Sequence, residues 1–126
     1  MTTNSVHLRA TAGRRILIVE DEYLIAMEMA DHFEAMGVHV VGPAQDARSA
    51  LAIIEGGERL DGAVLDILLR GDKVYAVADA LRERSVPFVF VTGLERDLIP
   101  ATYAAAACLS KPSDPNAIAQ ALFAWS

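Results

Sequence analysis

The sequence predicts an α/β domain: an open, parallel β-sheet with helices on both faces, a sandwich of three layers. Three observations predict it. Apolar runs and segments of helical period alternate about five times along the chain. The runs are apolar at consecutive positions, as strands covered on both faces require. The 126 residues, 53% of them apolar, suit one domain with a real core.

Each element follows from local chemistry. Ile16 to Val19 is a continuous apolar strand that ends abruptly at three acids, Glu20, Asp21 and Glu22. From Glu22 to Met36 the pattern is helical, with Ile25, Met29, Phe33 and Met36 on one apolar face and Gly37 closing the C-terminus. Val38 to Val41 is a second strand, stopped by Gly42-Pro43. Ala47 to Glu55 is a helix with Asp46 as N-cap, Ala50, Leu51 and Ile54 turned inward, and Gly56-Gly57 at its end. The third strand runs from about Asp61 to Asp66 with Gly62 inside it, and residues 72 to 84 form a helix with Val74, Val77, Ala78 and Leu81 on one face. Pro87 opens a fourth strand, Phe88 to Val91, ending at Thr92-Gly93. Pro100 forbids a regular helix through "LERDLIPATYAAAA", so a loop and a short helix from about residue 100 are expected there. A strand at Ala107 to Ser110, then Lys111-Pro112, then a helix from Asp114 to Trp125 complete the chain.

Composition narrows the function classes. The net charge of −6 repels phosphate backbones and anionic lipid, which argues against direct nucleic-acid binding and favours a divalent cation or a basic partner surface. Cys108 is the single cysteine, so no intrachain disulfide forms, and its apolar setting reads as a buried, inert thiol. No segment is long and apolar enough to span a membrane, and residues 1–13 lack the apolar core of a signal peptide. Those residues read as a short flexible tail before a domain of residues 14–126, in a cytoplasmic protein. His7, His32 and His39 have no metal-ligand spacing; His32 is expected to face solvent, Asp61 to cap the far end of its strand, and Asp72 to start the third helix.

Ligands of open parallel sheets bind at the carboxyl ends of the strands. There the chain places Glu20 and Asp21 after the first strand, Asp66 after the third, Thr92 after the fourth and Lys111 after the fifth. Three crowded carboxylates repel one another, and a hard divalent cation with oxygen ligands is the natural countercharge. Lys111 adds a positive charge and Thr92 a hydroxyl donor, making an anion site beside a cation site with a carboxylate between them. That arrangement suits phosphoryl transfer to an aspartate, an established nucleophile for such chemistry. Singly, each feature has an ordinary reading: acids favour a helix N-terminus, and Thr-Gly and Lys-Pro are common in turns. The case rests on all four strand ends together.

With these residues in place the chain resembles the receiver domains of two-component response regulators. "ILIVEDE", "AVLDILL", "FVFVTG" and "CLSKP" match in order and spacing over about residues 14 to 125. The resemblance implies a flavodoxin-like receiver fold with strand order 2-1-3-4-5. It implies that Asp66 is the phosphoacceptor, and that Glu20, Asp21, Asp66 and the backbone carbonyl of Leu68 hold Mg²⁺ or Mn²⁺. Thr92 and Lys111 would contact the phosphoryl group, and the Lys111-Pro112 peptide would be cis. A sensor histidine kinase or a histidine phosphotransfer protein would be the donor, docking on the first helix and the loop after Lys111.

The chain departs from the family in places. Receivers usually carry an aromatic residue three positions before the lysine; here it is Cys108, too small to serve as the usual signalling rotor. "PFVFVTGLE" partly matches a subgroup, often stand-alone, marked by Phe-Ala-Thr-Gly-apolar-Tyr: Phe90, Thr92, Gly93 and Leu94 fit, Val91 and Glu95 do not. A phosphoryl signal would then order or shift residues 93 to 106. Leu68 and Leu94 occupy the positions that tune hydrolysis in the family, and apolar groups there predict a long-lived aspartyl phosphate.

The expected function is that of a single-domain response regulator, not an enzyme beyond its own phosphorylation and dephosphorylation. Its output would be a contact with a downstream protein or onward phosphorelay, with the oligomeric state open. A receiver fragment of a longer regulator and a non-phosphorylated interaction module are the alternatives. A phosphohydrolase using an aspartate nucleophile is disfavoured, because Leu68 stands where such enzymes want a second acid.

Overall fold

A computed structural model describes residues 12–67, 74–92, 100–103, 106–111 and 114–123. Its strands are β1 (Arg15–Val19), β2 (His39–Ala44), β3 (Gly62–Leu65), β4 (Phe88–Thr92) and β5 (Ala107–Ser110). Among the described residues the α-helices are α1 (Tyr23–Ala35), α2 (Ala47–Glu55), α3 (Tyr75–Glu83) and α4 (Pro115–Phe123), and a 3₁₀ turn lies at Ala101–Tyr103. The strands pair in parallel, in the order β2-β1-β3-β4-β5.

The continuous apolar runs are explained by two cores. Successive side chains on a strand point to opposite faces. Leu17, Val19, Leu65 and Phe90 therefore pack with α2 and α3, through Ala50, Ile54, Val77 and Leu81. Ile16, Ile18, Val64, Val89 and Val91 pack on the other face with α1 and α4, through Phe33, Ile118 and Leu122. Phe33 and Phe90 are fully buried, each worth about 2 to 3 kcal/mol of transfer free energy. Gly62 has a local reason: a Cβ there would lie 3.1 Å from the Phe123 ring and 3.2 Å from Leu122 Cδ1, so the glycine lets α4 close on β3.

Two sequence expectations need correction. The second strand does not stop at Gly42-Pro43 but runs through it to Ala44. It gains one residue relative to β1, where Leu17 faces Val41 but Val19 faces Ala44. Gly42 makes this bulge possible, at φ +91°, where a Cβ would sit 2.7 Å from the Ala44 nitrogen. The Gly42-Pro43 peptide is cis; the expected cis peptide at Pro112 lies outside the described residues.

The buried stripe of α1 is also not the expected one. Ala26, Ala30 and Phe33 face the sheet, while Ile25 and Met29 lie on the flank. The helix is apolar around much of its girth, so spacing alone left two candidate faces; the small alanines let the backbone approach the sheet. Elsewhere the reading holds. Asp46 caps α2 by accepting from the Ser49 N–H at 2.8 Å. Val74, Val77, Ala78 and Leu81 are all buried. Pro100 is followed by one 3₁₀ turn rather than a regular helix. Asp61 does sit at the far end, where its Oδ2 accepts from the Arg15 N–H at 2.8 Å and fastens the start of β1. His32 is exposed, and Asp72 and His7 lie outside the described residues.

Candidate functional site

The carboxyl edge of the sheet is assembled by backbone pairing just past the strand ends. The Glu20 N–H donates to Ala44 O at 2.9 Å, the Asp66 N–H to Val19 O at 3.0 Å, and the Lys111 N–H to Thr92 O at 3.0 Å. These bonds extend the ladders of β1, β3 and β5 by one residue and fix where the side chains emerge. Glu20, Asp66 and Thr92 are the three buried polar residues among those described, at 2%, 4% and 1% exposure. Asp21 is half-buried beside them.

Glu20, Asp21 and Asp66 each bring a carboxylate oxygen within 4.8 Å of the others. The Lys111 amine donates to Glu20 Oε1 and to Asp66 Oδ2, both at 2.9 Å. It thereby joins residues 91 and 45 positions away in the chain. The other Glu20 oxygen, Oε2, accepts from the Glu22 N–H at 3.1 Å. Among the described residues no buried side-chain nitrogen or oxygen lacks a partner.

The electrostatics follow from burial. Desolvation pushes the Glu20 carboxyl from 4.5 up to about 7, against the opposing pull of Lys111 and the Glu22 N–H. Burial also works to lower the Lys111 amine, but its bonds to Asp66 and Glu20 outweigh that and hold it above the ordinary lysine range. An oxygen-only cluster of three acids with one lysine is a donor set for a hard cation such as Mg²⁺, which uses one or two carboxylates and keeps several waters. A soft metal would want sulfur or imidazole, and neither is among these four side chains.

Glu20, Asp21, Asp66 and Lys111 are thus brought together as the sequence suggested, and Thr92 is buried at the end of β4, directly opposite Ser110 of β5. Leu68, Gly93, Leu94 and Pro112 lie outside the described residues. Cys108 is half-buried rather than buried, because β5 is an edge strand. Sequence reasoning missed the Lys111–Glu20 contact, since nothing in either motif says which carboxylate the amine selects. It also missed Tyr103, which is buried from a one-turn 3₁₀ segment with no periodicity to reveal a face.

Comparison with known proteins agrees with this geometry. Residues 16–123 match the response regulator receiver domain family. The chain is 33% identical over 101 residues to the transcriptional regulatory protein PdtaR of Mycobacterium tuberculosis, covering 79% of this chain and 49% of that protein. It is 35% identical over 123 residues to the phyllosphere-induced regulator PhyR of Methylorubrum extorquens, covering 92% of this chain and 46% of PhyR. The chain therefore spans about half the length of the curated relatives it matches. It is also similar to the solution structure of the BeF3-activated conformation of SdrG from Pseudomonas melonis Fr1. There the identity is 42% and the TM-score 0.73, covering 88% of this chain and 94% of SdrG. From the match across almost all of its ordered elements, the chain belongs to the response regulator receiver domain family.

Proposed function

We propose that this receiver accepts a phosphoryl group on Asp66 from a phosphohistidine of a sensor histidine kinase or phosphotransfer protein, in a Mg²⁺-dependent reaction. The observation that carries the reading is the Lys111 amine 2.9 Å from both Glu20 and Asp66, beside a third carboxylate within 4.8 Å. An Asp66 carboxylate oxygen attacks phosphorus, the P–N bond to the donor imidazole breaks, and the imidazole nitrogen keeps the electron pair. Lys111 is placed to offset negative charge on the transferring oxygens, and the Thr92 hydroxyl to donate to one of them. Glu20, Asp21 and Asp66 would hold the cation, with the Leu68 carbonyl added by the family resemblance. Bound there, Mg²⁺ would supply charge neutralisation for the phosphoryl oxygens.

The donor surface is argued from exposure. Tyr23 and Leu24 at the start of α1 are 61% and 79% exposed, an unusual setting for large apolar side chains. Next to them a groove of about 490 Å³, lined by Ile25, Met29, Val91, Lys111 and Pro115 among others, opens beside the site. An apolar helix face bearing the donor histidine fits this surface. The output is a protein contact or onward phosphorelay in the cytoplasm. The BeF3-activated conformation of SdrG supports a phosphoryl-responsive site in a chain of this similarity.

The test is mass spectrometry after incubation with Mg²⁺ and acetyl phosphate. One added phosphoryl group, lost in Asp66→Asn and in excess EDTA, is expected. No gain in the folded wild-type chain overturns the proposal in favour of a non-phosphorylated interaction module. Rapid turnover of a phosphorylated metabolite overturns it in favour of a phosphohydrolase.

A further inference from the structure

β4 runs from Phe88 to Thr92, so its amino end lies about 13 Å from the acid site at its carboxyl end. At that amino edge is a bay of about 350 Å³, lined by Arg82, Ser85, Val86, Pro87, Phe88 and Ala106. Its wall is apolar: Val86, Phe88 and Ala106 are half-buried and Pro87 is exposed. Its polar side chains are those of Arg82 and Ser85, and none of the six residues is acidic. The bay is thus locally positive in a chain whose net charge is −6.

Both polar groups have capacity to spare. Arg82 donates to Thr102 O at 3.4 Å and lies 5.2 Å from the centroid of the Tyr103 ring, which packs on Tyr75 and Phe90. A guanidinium carries five N–H donors in a fixed fork, so these contacts orient it without using it up. The Ser85 hydroxyl has no hydrogen-bond partner among the described residues. Ser85 stands at φ 56°, the one non-glycine residue with positive φ among those described. It is the left-handed residue that closes α3: its N–H donates to Arg82 O at 3.1 Å, and the Val86 N–H donates to Leu81 O at 2.9 Å. Glycine takes such a position without strain, whereas serine takes it with strain and brings a hydroxyl to the bay. The turn satisfies carbonyls at the end of α3, and the full charge of Arg82 outweighs the partial negative charge of that helix end.

We propose that this bay binds a small aryl carboxylate, its ring against Val86, Pro87, Phe88 and Ala106 and its carboxylate held by Arg82 and the Ser85 hydroxyl. A guanidinium meets a carboxylate with two parallel charge-assisted N–H···O bonds, a fit that a neutral amide does not give. An apolar wall with a few placed polar groups is the usual build of a small-molecule site, and the volume suits one ring with a short acid arm. The groove beside Lys111 is the rival place for such a ligand, since it is larger and also apolar with a lysine. There Glu28 lines the same space, and Lys111 already donates to Glu20 and Asp66, so an incoming carboxylate meets like charge. The inference is independent of the phosphoacceptor reading, because it needs nothing bound at Asp66.

The experiment titrates the full ¹⁵N-labelled chain with 3-phenylpropionate and follows the backbone amides by NMR. Shifts centred on Ser85, Val86, Phe88 and Ala106 are expected, with a Kd of about 1 mM, the range for about eleven non-hydrogen atoms in an open bay. The amide 3-phenylpropionamide, which keeps the shape and loses the charge, is expected to bind about tenfold more weakly, and so is acetate, which keeps the charge and loses the ring. Arg82→Gln is expected to weaken 3-phenylpropionate about tenfold. Because Arg82 also supports the Tyr103 ring, Ser85→Gly is the second variant. It relieves the positive φ, so its urea midpoint is expected to rise while binding weakens about threefold, a split that a merely structural role would not give. The proposal is overturned by an absence of shifts at about ten times the expected Kd. It is equally overturned by amide and acid binding alike, by shifts centred on Ile25, His32 and Lys111 instead, or by undiminished binding in both variants. A peptide ending in Phe that binds far more tightly than the free acid overturns the small-molecule assignment in favour of a partner's chain terminus.

Discussion

Replacing Glu20 by Gln is expected to stabilise the metal-free protein, although it removes a proposed metal ligand. Burial holds the Glu20 carboxyl at about 7 against 4.5 in its ordinary setting. A folded-state value raised in this way gives stability that is fully present below 4.5 and lost as pH rises through 7. At ~1.4 kcal/mol per unit, the rise from 4.5 to about 7 costs the folded state about 3 kcal/mol at pH 8. Gln has the shape of the neutral acid and does not carry that cost. Urea denaturation in EDTA at pH 8 should therefore show Glu20→Gln more stable by about 2 to 3 kcal/mol, a midpoint about 1 to 2 M higher. At pH 5 the difference should fall below about 1 kcal/mol, because that pH lies only half a unit above the ordinary value of 4.5 and well below 7, so little of the cost has yet been incurred. Adding millimolar Mg²⁺ at pH 8 should stabilise the wild type more than the variant. A variant less stable than wild type in EDTA at pH 8 would refute the reasoning. It would mean that the bonds from Lys111 and the Glu22 N–H outweigh the desolvation of the carboxylate.

Mg²⁺ affinity should rise with pH up to about 7, the value at which Glu20 gives up its proton, and calorimetry in buffers of different ionisation enthalpy should detect proton release below it. Gly42→Ala should cost about 2 to 4 kcal/mol, since φ is +91° and the new methyl would lie 2.7 Å from the Ala44 nitrogen. A thermal melt lowered by roughly 10 °C would show it. Asp46→Ala should lower the urea midpoint with an unchanged slope, through the lost cap on the Ser49 N–H.

The sequence by itself determined the architecture. A parallel sheet buried on both faces needs strands without polar alternation, and the runs from Ile16, Phe88 and Ala63 announce that without any knowledge of contacts. The chain also determined which side chains reach the site. Residues at the carboxyl ends of parallel strands converge wherever the strands lie side by side, so Glu20, Asp21, Asp66 and Lys111 could be gathered from their positions alone. Asp46 as a cap and Gly37 as a helix stop were legible for a similar reason, because their effects reach only a few residues.

Tertiary structure decided what depends on contacts across the chain. The buried face of α1 was chosen by how closely Ala26 and Ala30 let the helix approach the sheet, a steric matter that apolar spacing does not encode. The passage of β2 through Gly42-Pro43 was decided by pairing with β1, which overrides the breaker tendency of that dipeptide. Lys111 bridging Glu20 and Asp66 depends on side-chain reach, and Tyr103 meeting Phe90, Tyr75 and Asp79 depends on where a one-turn segment lands. Local pattern fixes backbone state and the side of a sheet a residue faces; which partner it finds is settled only when distant segments compete for the same space.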